Sequence, residues 1–153
     1  MTRALLLLAL LLTAATGAQA AGRVSLGVFE RWGAFREDAP ALRCWALTRG
    51  ARSSGGVLRV GFWPRSGGRA QVSVTPPSGR EAREGVLRAG EVRVALRGNG
   101  ATLWTLSPAD DARVVAAMRG GADVIVSTRN WQSRFAVAGA ATAIDAAAIG
   151  CSR

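Results

Sequence analysis

The sequence contains no histidine, no lysine and no tyrosine, and it has two cysteines in 153 residues. Without histidine, Ser-His-Asp and Cys-His nucleophilic sites cannot form, and without lysine a Ser-Lys dyad cannot form either. The missing imidazoles also exclude a histidine-based zinc site, and two cysteines alone cannot complete a structural zinc tetrahedron. We therefore expect no catalytic centre, no metal site and no cofactor.

Ten acidic residues remain as candidates for acid-base chemistry. Asp110 and Asp111 are the obvious pair, but adjacent residues of a helix project about 100° apart. Both also suit the first turn of a helix, where the dipole favours negative charge. Solvated ion pairs with neighbouring arginines are the usual outcome for acidic residues in turns and strands, here Glu30, Glu37, Asp38, Glu81, Glu84 and Asp123. A hydrolase that uses carboxylates alone is therefore the weakest hypothesis for this chain.

Long apolar runs are absent except near the start of the chain. Met1-Thr2-Arg3 precedes one apolar run, which leads through small residues to Ala18-Gln19-Ala20. This is the layout of a secretory signal peptide, and the run is shorter than the roughly 20 residues of a membrane-spanning helix. We expect residues 1–20 to be the signal and residues 21–153 to form one periplasmic or secreted domain without a transmembrane anchor.

Both cysteines, Cys44 and Cys151, lie in the part expected to be exported. An even number of cysteines in an exported chain is typical of a disulfide. Their sequence separation is 107 residues, and closing a loop of that size is worth about 4 to 5 kcal/mol in the chain-entropy treatment. The alternative, a reactive thiol pair, needs activating neighbours or a Cys-x-x-Cys spacing, and the sequence has neither.

All 20 basic residues are arginines, and they give the chain a net charge of +10. Loss of Arg3 with the signal lowers this charge by one, to +9. Positive charge favours polyanionic partners, although enrichment in arginine and alanine without lysine is also what a high-GC coding bias produces. For an exported protein we expect no nucleic-acid partner. Lipopolysaccharide or anionic lipid headgroups fit the compartment better.

Short alternating apolar runs, separated by Gly, Ser and Pro, indicate an antiparallel β protein. Val92, Val94 and Leu96, for example, alternate with polar or small residues, so one face of that strand is expected to be buried. Asn99-Gly100 separates two such runs and predicts a tight hairpin turn in which both residues have positive φ. The predicted strands cover residues 28–35, 42–48, 57–63, 70–75, 85–88, 91–97, 101–106, 124–127 and 131–137.

Two short helices are expected to pack on these strands. Ser107 and Pro108 are typical of a helix N-terminus, and Gly120-Gly121 ends that helix. A second helix is predicted over residues 140–149. The apolar face predicted for the first helix consists of Ala112, Val115, Ala116 and Met118. The expected architecture is an antiparallel β-sandwich or flattened barrel with one or two short helices.

Tryptophans and arginines supply the candidate surface for an anion or a protein partner. Trp45 and Trp63 share their strands with apolar neighbours of opposite phase, which favours an outward position beside an arginine, with core packing as the alternative. The segment Ser66-Gly67-Gly68 has backbone N–H groups suited to a phosphate, but it lacks the spacing of a nucleotide motif, and a plain hairpin loop is the alternative. The candidate residues are Arg43, Trp45, Trp63, Arg65 and Arg69.

Two segments near the ends of the domain carry a family resemblance. One is Phe29-Glu30-Arg31-Trp32-Gly33-Ala34-Phe35 followed by Arg43-Cys44-Trp45-Ala46, and the other is Phe135-Ala136-Val137-Ala138-Gly139-Ala140-Ala141-Thr142-Ala143. Together they resemble the invasion-associated locus B family, exported proteins of Gram-negative bacteria with an early Trp strand, a Cys-containing strand and a late Phe-x-Val/Leu-x-Gly segment. The resemblance implies a periplasmic or envelope-associated, non-catalytic β domain, linked to host-cell invasion in the family's name, with no catalytic residues to carry over.

We favour two hypotheses for the function of this chain. The first is a monomeric, non-catalytic periplasmic domain that binds an anionic envelope component through arginines and exposed tryptophans. The second is a protein-interaction or inhibitor module that contacts another periplasmic protein through a strand edge or through Trp63-Pro64-Arg65. A flat Arg-Trp surface favours the first hypothesis, whereas a convergent pocket with two carboxylates favours the hydrolase.

Overall fold

The fold is mainly β, as predicted: in the described part of the chain, ten antiparallel strands form one sheet that curls into a half barrel, with two short helices. The computed structural model describes residues 22–51 and 55–152. The predicted signal peptide and its cleavage site lie outside the described residues. The elements are β1 (Val24–Phe29), β2 (Trp32–Glu37), β3 (Arg43–Arg49), β4 (Val57–Phe62), a 3-10 turn (Pro64–Ser66), β5 (Ala70–Thr75), β6 (Ala82–Ala89), β7 (Val92–Gly100), β8 (Leu103–Thr105), α1 (Pro108–Arg119), β9 (Val124–Ser127), β10 (Gln132–Phe135) and α2 (Ala140–Gly150).

The strand order is β1-β2-β3-β4-β5-β8-β7-β6-β9-β10. Most strands pair with a neighbour in the chain, but β8 lies between β5 and β7, so the connection 76–81 carries the chain past two strands. The N–H of Ala51, after β3, donates to the carbonyl of Arg134 in β10 at 3.0 Å. This bond joins the far end of the sheet to the loop between β3 and β4, and the sheet therefore curls.

The segment 28–35, predicted as one strand, is a hairpin, and the prediction of a single strand was wrong. Phe29 and Trp32 are cross-strand partners, so Glu30 and Arg31 alone form the turn. Glu30 has a φ of 53°, the left-handed conformation that a two-residue hairpin needs. No Gly, Asn or Pro marks this turn in the sequence, because a glutamate occupies the position that glycine usually takes.

The predicted hairpin at Asn99-Gly100 is present as the pair β7 and β8, although these two residues are the last of β7 rather than a separate turn. The turn differs from the expectation, because of these two residues only Gly100 has a positive φ, at 101°. Asn99 instead accepts with its side chain: its Oδ1 receives the N–H groups of Ala101 and Thr102 at 3.1 and 3.0 Å. A side-chain hydrogen bond, rather than a second left-handed residue, closes the turn.

The core lies on the inner face of the sheet, beneath the two helices. Helix α2 packs on β1 to β4, and α1 packs on β5 to β8. Val94 and Leu96 of β7 are buried while Arg93 and Arg97 are exposed, so the predicted alternation is confirmed. Burial of side chains of this size contributes about 1.5 to 3 kcal/mol each, and it makes the inner face the main source of stability.

Helix α1 begins as predicted but buries a different face. The Ser107 hydroxyl accepts the N–H of Asp110 at 3.1 Å, and Pro108 occupies the first helical position. The predicted apolar face was wrong for Ala112 and Ala116, which are exposed, and it missed Asp111 and Val114, which are buried with Met118. An acidic residue shares the buried face because it has partners there, which the sequence pattern does not reveal.

Asp111 is the buried carboxylate of α1. One of its oxygens, Oδ1, accepts the backbone N–H of Val72 at 2.7 Å and the hydroxyl of Thr105 at 2.6 Å. The N–H of Val72 lies at the part of β5 that β8 does not pair, since the β5–β8 ladder contains only Ser73 and Val74. The carboxylate thus continues the hydrogen bonding of β5 where the neighbouring strand ends.

Cys44 in β3 and Cys151 after α2 fit the predicted disulfide. Their Cα atoms are 5.7 Å apart and their sulfurs lie at disulfide distance. Both residues are buried. Beside them, Arg36 donates from Nη1 to the carbonyl of Gly150 at 2.8 Å, which places a cation at the C-terminus of α2, where the helix dipole favours it. Together these contacts hold the end of α2 against the first strands.

Candidate functional site

Three arginines and a phenylalanine surround the ring of Trp45 on the outer face of the sheet. Trp45 alternates along β3 with Cys44 and Ala46, which lie in the core, and its ring therefore lies on the opposite face. The Phe35 ring stacks on it with centroids 5.9 Å apart. The Cζ atoms of Arg23, Arg43 and Arg59 lie 5.2, 5.7 and 5.9 Å from the Trp45 ring centroid. We call Arg23, Phe35, Arg43, Trp45 and Arg59 the Trp45 cluster.

Strand register and two glycines allow these aromatic rings to lie on the sheet. Phe35, Trp45 and Gly61 are cross-strand partners on β2, β3 and β4. A Cβ at Gly33 would lie 2.7 Å from the Phe35 ring, and a Cβ at Gly61 would collide with the ring of Trp63. Each ring therefore folds back over the glycine two residues before it. Because Trp45 is the cross-strand partner of Gly61, the indoles of Trp45 and Trp63 lie on the same face of the sheet.

The Trp45 cluster has an excess of positive charge. Arg43 is paired with Glu37, with its Nε 2.6 Å from Oε2. Among the described residues, neither Arg23 nor Arg59 has a carboxylate oxygen within 4.0 Å. Burial lowers the pKa of Arg59, and repulsion from Arg23 and Arg43 lowers it further. The three guanidinium groups are thus close enough to interact, and one carboxylate offsets them.

Trp45 is 6% exposed, although it lies on the outer face. The rings and guanidinium groups of the Trp45 cluster cover it, and cation–π contacts with tryptophan of this kind are worth about 0.5 to 2 kcal/mol each. Its indole Nε1 is buried and has no hydrogen-bond partner within the described part of the chain. A buried donor without an acceptor costs about 1 to 3 kcal/mol. The Trp45 cluster therefore has several hydrogen-bond donors and few acceptors.

The five residues of the predicted surface fall into three places. Arg43 and Trp45 meet in the Trp45 cluster on the outer face, but the Trp45 side chain is buried there, so the expectation of an exposed tryptophan was wrong for this residue. Trp63 and Arg69 line a groove of about 390 Å³ beside the start of α1. Arg65 is exposed in the 3-10 turn.

The glycines between Arg65 and Arg69 do not present free N–H groups. The N–H of Gly67 donates to the carbonyl of Pro64 at 3.0 Å, and that of Gly68 donates to the carbonyl of Trp63 at 3.2 Å. A phosphate cradle needs these donors directed at the ligand. The structure therefore favours the plain-turn interpretation of this segment over the phosphate-binding one.

Sequence reasoning missed Arg23, Phe35 and Arg59. These residues come from different strands or their flanks, and only the register of β1 to β4 brings them to one indole. A signal for part of the site exists in the sequence, because Gly33-Ala34-Phe35 and Gly61-Phe62-Trp63 both place a glycine two residues before an aromatic residue in a strand. That spacing allows a ring to lie over the glycine.

Carboxylates do not converge at either of two surface grooves. The larger, of about 640 Å³, has Arg80, Trp131 and Arg134 in its lining and no acidic residue, and the smaller has Asp111 alone. Within residues 22–51 and 55–152, no three His, Cys, Asp or Glu residues come together in a group suited to a metal ion. In the same residues, no helix is long and apolar enough to cross a membrane.

Comparisons of the chain with protein-family models, with curated proteins and with solved structures find no match. The chemistry of the Trp45 cluster is therefore the basis for a functional interpretation. Guanidinium groups that lie over an aromatic ring, with one carboxylate among them, are complementary to an anion.

Proposed function

We propose that this protein is an exported, non-catalytic domain that binds an anionic component of the bacterial cell envelope. One observation carries the proposal: Arg23, Arg43 and Arg59 converge on Trp45, and among the described residues only Glu37 forms a carboxylate pair with them. A net charge of +10 adds long-range attraction for the same class of partner. Lipopolysaccharide and anionic lipid headgroups are the anions of that compartment.

A periplasmic location is part of this proposal. It is supported by the signal-peptide layout of residues 1–20 and by the disulfide distance between Cys44 and Cys151, since disulfides persist in oxidising compartments. Intact-mass measurement of periplasmic material tests the location, and the expected chain begins at Ala21. A periplasmic species that retains residues 1–20 would contradict the predicted cleavage.

We further propose a relationship to the invasion-associated locus B family. The two segments that resemble the family are in contact, because Trp32 of the first donates from Nε1 to the carbonyl of Ala136 in the second. Gly139, the glycine of the late segment, lies against the carbonyl of Phe29. The proposal is supported by the sequence resemblance of these two segments to the family's early Trp and Cys strands and to its late Phe-x-Val/Leu-x-Gly segment.

Co-sedimentation with vesicles tests anion binding. The protein is expected to bind vesicles of phosphatidylglycerol and phosphatidylcholine, and to bind pure phosphatidylcholine vesicles weakly. Binding is expected to fall steeply with added salt, because ions screen exposed charges over about 10 Å at ~0.1 M. Equal binding to both vesicle types, or none to either at low salt, would contradict the proposal.

A second candidate function, binding of a periplasmic protein, is favoured by the edge strand β1. This strand pairs with β2 alone within the described sheet, and it exposes Val24 and Val28, which are 49% and 72% accessible. An open edge with apolar side chains is suited to addition of a strand from a partner. Val28→Lys is expected to abolish such a complex while leaving vesicle binding unchanged, so the two functions can be separated.

A further inference from the structure

We infer that the Trp45 cluster is a defined site for one phosphate group, which binds to the guanidinium groups of Arg23 and Arg59 that cover the Trp45 ring. This inference deepens the proposed function and rests on it, since it assigns the anion to a chemical class and to a place on the surface. The phosphate belongs either to a lipid headgroup, as a phosphodiester, or to free inorganic phosphate, and both present the same oxygens to the guanidinium groups.

The first argument is that the three arginines differ in whether a carboxylate is paired with them. Arg43 already donates to Glu37, whereas Arg23 and Arg59 have no carboxylate partner among the described residues. Guanidinium is a planar fork that matches phosphate oxygens in pairs. Two unpaired forks beside one ring therefore suit a tetrahedral group with several oxygens better than a carboxylate, which one fork satisfies.

The second argument is the electrostatic state of Arg59. Burial lowers its pKa, and the charges of Arg23 and Arg43 lower it further, so the cluster destabilises the charged form of its own residue. A bound phosphate would offset both effects, because it restores negative charge beside a partly desolvated cation.

The third argument is the buried Nε1 of Trp45, which has no acceptor within the described residues. It lies at the residue on which the three guanidinium groups converge. A phosphate bound to those guanidinium groups lies close to the indole and changes its electrostatic environment. The indole N–H is therefore also the reporter by which binding can be observed.

Nuclear magnetic resonance of the exported protein tests the inference. The indole N–H resonance of Trp45 is assigned by its loss in Trp45→Phe, and inorganic phosphate is titrated against chloride at constant ionic strength. A saturable shift of this resonance is expected. Arg59→Gln is expected to weaken phosphate binding about tenfold or more, as loss of a charge-assisted hydrogen bond would.

Arg93→Gln is the matched control, because it removes the same charge from an exposed position on β7. It is expected to leave the phosphate affinity nearly unchanged. Glu37→Gln is expected to tighten binding, because it releases Arg43. Should Arg59→Gln lower the melting temperature of the domain, Arg23→Gln, at an exposed position before β1, provides the second test with the same expected loss.

Three results would overturn the inference: no saturable shift, a shift that follows ionic strength alone, or equal weakening by Arg59→Gln and Arg93→Gln. Vesicle binding without a phosphate shift refutes the site and leaves the proposed function intact. A phosphate shift without vesicle binding supports the site and refutes the membrane anion. If phosphatidylglycerol vesicles reduce the phosphate-induced shift of the Trp45 resonance, the bound phosphate group belongs to a lipid headgroup. If they leave the shift unchanged, the site binds free phosphate.

Discussion

The indole Nε1 of Trp32 donates a hydrogen bond of 2.9 Å to the carbonyl of Ala136, across 104 residues of sequence. Trp32 is fully buried in β2, and Ala136 directly follows β10. The bond therefore joins the second strand of the sheet to the end of its last strand. It satisfies a buried indole donor and helps to set the curl of the sheet at the same point.

Trp32→Phe is expected to lower the free energy of unfolding by about 2 kcal/mol or more, because it leaves the Ala136 carbonyl without its donor and creates a cavity. Urea denaturation measures this change. Trp104→Phe is the matched control at a half-buried position in β8, and its expected loss is below about 1 kcal/mol. Equal losses in the two variants would show that the hydrogen bond to Ala136 contributes little.

Gly139→Ala is expected to destabilise the domain by more than the ordinary cost of a left-handed alanine, which is about 1 to 2 kcal/mol. Gly139 has a φ of 85°, and a Cβ there would collide with the carbonyl of Phe29. Gly67→Ala is the control, since Gly67 has a φ of 79° but no atom within 4 Å of its Cβ position. Thermal unfolding of both variants separates the clash from the backbone strain, and a smaller loss at Gly139 would refute the clash.

Asp111→Ala is expected to cost about 2 to 3 kcal/mol of stability, since it leaves the buried N–H of Val72 without an acceptor and also removes the bond from Thr105. Asp110→Ala is the neighbouring control. Asp110 bonds to Ser107 and Arg113 near the surface, and its expected loss is about 1 kcal/mol or less. A chemical denaturation series ranks the two, and the reverse order would contradict the buried role of Asp111.

Reduction of the Cys44–Cys151 bond, or Cys151→Ser, is expected to lower the melting temperature and to loosen α2 from the first strands. A loop closed over 107 residues is worth up to about 4 to 5 kcal/mol, depending on the strain in the native state. Thiol labelling of freshly isolated, unreduced protein is expected to find almost no free cysteine. Two reactive thiols per chain would refute the pairing.

Local signals account for the parts of the fold that were predicted correctly. Ser107 and Pro108 mark the start of α1 because capping acts within one turn of a helix, and β5 and β9 follow from short alternating runs bounded by turn residues. The hairpin at Glu30 has no such signal, since its turn contains neither glycine nor asparagine. The buried position of Asp111 depends on a backbone N–H of β5, 39 residues earlier in the chain.

The sequence by itself determined the class of the protein: a small, arginine-rich β domain with two short helices and one possible disulfide pair. Those properties depend on composition and on periodicities of two and 3.6 residues, which are local. Only the tertiary structure decided that Arg23, Phe35 and Arg59 join Arg43 at Trp45, because antiparallel register places residues of β2, β3 and β4 beside the residue that precedes β1. Pairing between strands is set by the packing of the whole core, and that packing is where the candidate anion site originates.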